Sequence, residues 1–360
     1  MVCPAAHAVW RSRSQRPGMD ARSTRGAGGR RRGRGPLLLV GLRLVLVELH
    51  WGAVAVDVPD VYGCGVPPAV CPNENITFWL YTRADLEPQL LNVSDPSSLA
   101  NARFASDSFK IVIHGYTGSR NYTPNPEIRP AYLQRADYNV ISVDWGPLAR
   151  EPCYLQASYT VATVGNCTAQ LLDWLVGEGV TTLDAVHVVG FSLGAQVAGH
   201  VGLFLQSGRL PRVTGLDPAL PLFGTPYKSS KLDSNDAEFV DVIHTNAGHK
   251  GKYEPCGDVD FYVNGGYNQP GCKSHPDGEP SCSHARAPAY FGESINTNVG
   301  FYAQSCCSWI MSVVGWCSDD TESSILMGEY TPRSARGTYY VTTRDMPPYA
   351  LGKDSNACSS

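Results

Sequence analysis

The chain has 360 residues with 43% hydrophobic content, enough for one large domain or two smaller ones. Its charge is uneven: residues 1–55 hold ten arginines against only Asp20 and Glu48, which leaves 19 basic and 31 acidic side chains beyond them, a net charge of about −12. That balance argues against nucleic acid, and against anionic surfaces held by charge alone, as partners.

In chain order, the arginine-rich start leads into an apolar stretch from Pro36 to Leu49, dented by Arg43 and Glu48, and then to the small residues Ala53-Val54-Ala55. Residues 1–55 read as a secretory signal with a long basic lead-in, translation starting at Met1 or Met19. An uncleaved anchor and a disordered basic arm are the alternatives, although the apolar run is short for a membrane span. The division expected is signal 1–55, one folded domain 56–350 and tail 351–360.

Eleven cysteines lie beyond residue 55, which fits an oxidising compartment. An odd number leaves one unpaired or linked between chains, and Cys358 near the end is the first suspect. No C-x-x-C pair occurs, so metal binding by this set is not expected. Sequons at Asn75, Asn92, Asn121 and Asn166 suit secretion as well.

Lys110 to Gly115 and Asn139 to Trp145 read as buried strands, residues 156–177 as a helix, and Ala185 to Gly190 as another strand. A helix from Leu193 and strands at Arg212–Asp217 and Phe239–His244 come next. Short apolar strands alternating with helices predict an α/β fold with a mostly parallel sheet covered on both faces. Reactive groups in such sheets collect at the carboxyl ends of strands. Ser192, Asp217 and the His114-Gly115-Tyr116 loop all fall there.

Gly190-Phe191-Ser192-Leu193-Gly194 is the most informative segment. A G-x-S-x-G run is weak by itself, but here it joins a β-branched strand to a helix, the setting of a nucleophile elbow. A serine hydroxyl needs a histidine to take its proton and a carboxylate to orient that histidine. Asp217, at a strand end before Pro218, is the best acid, with a plain turn aspartate as the bland alternative. Beyond it lie His244, His249, His275 and His284. His244 sits inside a strand and reads as core; His249 and His275 lie in polar loops; His284 comes just after Cys282, whose disulfide could hold its loop.

Val188 to Gly199, Gly215-Leu216-Asp217-Pro218-Ala219, Asp241 to Thr245 and Cys282-Ser283-His284, all in one register, resemble the pancreatic lipase family of secreted lipases and phospholipases A1. The resemblance runs from about Cys64 to Asp345. It implies an α/β-hydrolase fold, Ser192 as nucleophile, Asp217 as acid, His284 as base, and an oxyanion hole from the backbone amides of Tyr116 and Leu193. It also implies a lid between bridged Cys272 and Cys282. The other expected pairings are Cys64–Cys71 and Cys153–Cys167.

Three departures stand out. The chain ends soon after Asp345, so neither the β-sandwich domain of pancreatic members nor a colipase partner is expected. The lid, Lys273 to Ser281, has no large apolar residue, and the loop from Asn246 to Val259 looks clipped. Both shortenings resemble the phospholipase A1 branch and insect-type lipases. Finally, Lys231 to Ala237 resembles the family's calcium loop, so Asp233 and Asp236 are candidate ligands for a structural calcium. A further acidic ligand would fall at Lys228, and no cofactor is otherwise required.

Two aromatic features have double readings. Trp145 suits either an acyl pocket or the core. The apolar segment Ser308 to Trp316, between Cys307 and Cys317, suits a lipid surface or, more commonly, burial. The expected function is a secreted serine ester hydrolase releasing the sn-1 fatty acid of phospholipids. A neutral triacylglycerol lipase and a non-catalytic lipid-binding relative are the alternatives.

Overall fold

The computed structural model describes residues 63–353 apart from 66–67, 86, 314–316 and 318–323. The signal read at 1–55 and most of the tail, including Cys358, lie outside the described residues. Elements run in the order β1 (Thr77–Tyr81), β2 (Gln89–Leu91), α1 (Pro96–Ala100), β3 (Phe109–Ile113), α2 (Asn125–Arg135) and β4 (Asn139–Asp144). Next come α3 (Tyr154–Gly177), β5 (Val186–Phe191), α4 (Leu193–Phe204), β6 (Val213–Leu216), β7 (Val240–His244) and β8 (Val259–Val263). The chain closes with α5 (Glu279–Asn296), β9 (Phe301–Cys306), α6 (Trp309–Val313), β10 (Ile325–Met327) and β11 (Gly337–Val341).

All described strands join one sheet in the order β10-β9-β11-β8-β7-β6-β5-β3-β4-β1-β2. The stretch from β11 through β8, β7, β6, β5 and β3 to β4 is parallel; antiparallel pairing enters only at the two ends, where β1 and β2 extend the sheet beyond β4 and β9 and β10 extend it beyond β11. This is the α/β-hydrolase architecture.

Why the central strands carry nearly unbroken apolar runs is visible in the packing. Successive side chains point to opposite faces, and here both faces are covered. In β3, Ile111 and Ile113 join a core with Leu172 of α3 and Val197 and Val201 of α4. Val112 points the other way, toward Ile128 and Tyr132 of α2 and Tyr290 and Phe291 of α5. Each of these side chains is fully buried.

Four bridges hold the described residues: Cys64–Cys153, Cys71–Cys167, Cys272–Cys282 and Cys306–Cys317. The lid bridge matches expectation, but the first two replace the expected Cys64–Cys71 and Cys153–Cys167. The reason is helical geometry. Cys153 caps α3 and Cys167 lies within it, so about 20 Å of helix separates them, far beyond disulfide reach. The N-terminal segment instead runs along α3 and is stapled twice. Cys307 is also disulfide-bonded, and the free thiol among the described residues is Cys256; the suspected Cys358 lies outside them.

The apolar segment after Cys307 divides its loyalties. Trp309 packs on Tyr253 and Tyr262, while Ile310 and Val313 are exposed. Among the described residues, no helix is long and apolar enough to cross a membrane.

Candidate active site

The elbow is built by close approach. A Cβ on Gly190 would strike the Gly194 carbonyl, and a Cβ on Gly194 would strike the carbonyls of Ile113 and His114. Only with both absent can α4 leave β5 so sharply. Ser192 at the apex has φ 58° and ψ −121°, a conformation ordinary residues avoid. Its amide bonds to the Leu216 carbonyl at 3.0 Å and its carbonyl accepts from Ala219 at 3.2 Å, so β6 and the chain beyond it hold the turn.

Asp217 is fully buried at the end of β6, with φ 41°. Its Oδ1 accepts the amides of Thr245 and Asn246 at 2.8 and 3.0 Å, and its Oδ2 meets His284 Nδ1 at 2.5 Å. A carboxylate that accepts from Nδ1 fixes the imidazole proton there and leaves Nε2 able to take one. The His284 ring lies 4.6 Å from that of Phe191, beside the elbow. Ser192 and His284 line one cleft of about 410 Å³, together with Phe191, Tyr116, Tyr154 and Lys250.

His284 stands on α5 and not on the expected loop. Glu279 and Pro280 open the helix, and the Cys272–Cys282 bridge anchors its first turn. Its opening turns are polar, and Pro288 inside the helix is a residue that ordinarily ends one.

Leu193 opens α4, so its amide is among those with no partner inside the helix. The loop carrying Tyr116 packs directly on Ser192, because a Cβ at Gly115 would come within 2.7 Å of Ser192 Cβ. Behind it, His114 is completely buried: Nδ1 bonds the Gly115 carbonyl at 2.8 Å, and Nε2 accepts the Trp145 amide at 3.1 Å. Trp145 Nε1 donates to the His114 carbonyl at 2.9 Å. Trp145 is thus core, bracing the loop from beneath, and lies outside the cleft lining.

Residues with no sequence signal of their own complete the frame. Gly251 touches Asp217, since a Cβ there would fall among the atoms of its carboxyl group. Gln196 of α4 donates to the Ala219 carbonyl and accepts the Leu232 amide, both at 2.8 Å. A glutamine one helical turn past a serine carries no recognisable signal in one sequence.

Of the other histidines, His244 is core as read, its Nε2 2.8 Å from Asp260 and its ring stacked on Tyr262. His249 and His275 are exposed. Lid residues 273–281 lie outside the cleft lining and are mostly exposed. Asn92 and Asn121 are exposed, whereas Asn75 and Asn166 are half-buried, the latter beside bridged Cys167.

Asp233 and Asp236 do not fit a calcium ion. Asp233 Oδ2 pairs with Lys228 Nζ at 3.1 Å and its Oδ1 accepts both nitrogens of Asn235. Asp236 accepts the Asp233 amide at 2.8 Å, and burial pushes its carboxyl up to about 7. Calcium takes six or more converging oxygens, with charged carboxylates. Among the described residues no three acidic, His or Cys groups gather as a metal site.

The chain is 36% identical to rat phospholipase A1 member A over 253 residues, 69% of this chain and 54% of that protein. It is 38% identical to lipase member H-A of Xenopus laevis, over 59% of this chain and 46% of that protein. A rabbit pancreatic triacylglycerol lipase is 32% identical over 77% of this chain and 65% of its own length. The chain therefore spans about half the length of the first two relatives. The family described as Lipase matches residues 67–349, and with the elbow, the buried acid and the histidine in the positions just described, the chain belongs to the lipase family.

Proposed function

We propose that this protein is a secreted serine ester hydrolase of lipids, a phospholipase A1 that releases the sn-1 fatty acid. The observation that carries the catalytic reading is the 2.5 Å contact of Asp217 with His284 in the cleft that also holds Ser192 at its elbow. His284 Nε2 takes the Ser192 proton as Oγ attacks the ester carbonyl. The Tyr116 and Leu193 amides receive the oxyanion, each worth about 3 kcal/mol in the transition state. The imidazolium then gives its proton to the departing glycerol oxygen. Water, deprotonated by the same nitrogen, splits the acyl-serine and frees the fatty acid.

The short polar lid supports phospholipid as substrate. It has no greasy face to lay over the cleft, so the mouth stays open to a charged head group. The disulfides support secretion, since they form and persist in oxidising compartments. In this reading no metal is needed: Lys228 neutralises Asp233, and Asp236 is largely protonated below about 7.

The test is hydrolysis of phosphatidylcholine vesicles labelled at sn-1, beside triolein emulsions, with Ser192→Ala as control. Release of the sn-1 label, lost in the variant, is expected. A large preference for triolein would make the protein a triacylglycerol lipase, and failure of a fluorophosphonate to label Ser192 would make it a lipid-binding relative.

A further inference from the structure

Lys250, an exposed residue, brings a positive charge to the lining of the cleft that holds Ser192. It lines the same hollow as Ser192 and His284, which is otherwise aromatic or uncharged apart from Glu151. Its main chain is tied down on both sides: the amide donates to Asn246 Oδ1 at 3.1 Å, and the carbonyl accepts from Leu220 at 2.8 Å. The ammonium donates to Ser281 Oγ, on the lid, at 2.8 Å. The residue is exposed, so its ammonium stands at the mouth of the cleft, placed there by this one hydrogen bond and by the anchored backbone.

Among the described lysines Lys250 shares the lack of a carboxylate partner with Lys273 and Lys353, but of these three it alone lines the cleft. Lys231 and Lys252 share Glu254, Lys228 pairs with Asp233, and Lys110 pairs with Glu329. Lys250, on a chain with more acidic than basic residues, has no carboxylate within 4.0 Å among the described residues. A neutral acylglycerol in this cleft would cover the ammonium without answering its charge. An anionic oxygen would answer it with a charge-assisted hydrogen bond. A site holding an ionic donor discriminates against analogues that lack the matching group.

We infer that Lys250 is a specificity-determining residue that receives the phosphodiester of the substrate while the acyl carbonyl lies at Ser192. The assignment rests on the phospholipase reading above and names the group that makes it selective. Ser281 is the positioning residue that aims the ammonium, so the short lid acts as a brace for head-group recognition.

The experiment compares kcat/KM on monomeric dihexanoylphosphatidylcholine with kcat/KM on p-nitrophenyl butyrate, a neutral ester, for wild type, Lys250→Met, Lys250→Gln and Lys250→Arg. The ratio of phospholipid to neutral ester should fall at least tenfold in Lys250→Met and Lys250→Gln, chiefly through KM, and recover in Lys250→Arg. Taking a ratio removes losses from partial misfolding, and Lys250→Gln keeps a donor for Ser281. A ratio unchanged within twofold, in a wild type that cleaves phosphatidylcholine, overturns the role of Lys250 and leaves the phospholipase reading standing. A wild type active on the neutral ester but inert on phosphatidylcholine overturns both.

Discussion

Gly251 has no side chain because the Asp217 carboxylate fills the space one would need. Replacing it with alanine should push the carboxylate off His284 Nδ1. We expect Gly251→Ala to lower kcat on any ester by tenfold or more with KM little changed, measured on p-nitrophenyl butyrate. Asp217→Asn should cost more, about 10⁴ in kcat, because an amide can favour the wrong imidazole tautomer. Trp145→Phe is a subtler case: it removes the Nε1 donor to the His114 carbonyl and leaves most of the packing. Its loss should show in kcat, through a looser Tyr116 amide, with the melting temperature changing by only a few degrees. The G-x-S-x-G run, Asp217 and His284 were readable as residues; the roles of Gly251, Gln196 and Trp145 were not. Each of those three acts through a partner distant in sequence.

At the scale of elements, the loop from Lys228 to Ala237 shows charge standing where a cation ligand set was expected. The Asp236 carboxyl, raised by burial to about 7, binds a proton more tightly folded than unfolded. Its stabilising share is complete below the ordinary carboxylate range and is lost as pH rises through about 7. Asp236→Asn, neutral throughout, should therefore be more stable than wild type at pH 8, by on the order of 1 kcal/mol or more, and match it near pH 4. Denaturant melts at the two pH values check this. Stabilisation of wild type by added calcium, abolished in the variant, would reverse the reading. Helix α5 depends in turn on its bridge: Cys272→Ser with Cys282→Ser should cost about 3 kcal/mol. It should also depress kcat, because His284 sits two residues past Cys282. The strands of the central sheet were legible because burial on both faces leaves continuous β-branched runs. Helix α5 was not, since Glu279-Pro280-Ser281-Cys282-Ser283-His284 is polar and Pro288 ordinarily signals the end of a helix.

At the scale of the whole molecule, the two long-range staples, spanning 89 and 96 residues, tie the N-terminal segment to α3. Non-reducing peptide mapping should recover Cys64 with Cys153 and Cys71 with Cys167. The Cys256 thiol is raised well above its usual range by burial, with Asp260 adding to the shift. Because it is part-exposed, it should still react with maleimide at pH 7 in the native protein, but more slowly than on unfolding, as its thiolate is scarce.

The sequence by itself determined the central strands and the elbow, and it offered Ser192, Asp217 and a short set of histidines from which the family resemblance drew His284. Those depend on local patterns: runs of apolar strand residues, glycines where backbones cross, and motifs whose residues are neighbours in the chain. Even the error in pairing Cys153 with Cys167 was visible there, because a helix over 156–177 already separates them. Only the tertiary structure decided which cysteines meet, that Trp145 braces a loop and lies outside the cleft lining, and that Lys250 joins that lining with no described carboxylate within 4.0 Å. Such facts arise from which distant segments the fold brings within a few ångströms, and one sequence holds no local trace of that distance.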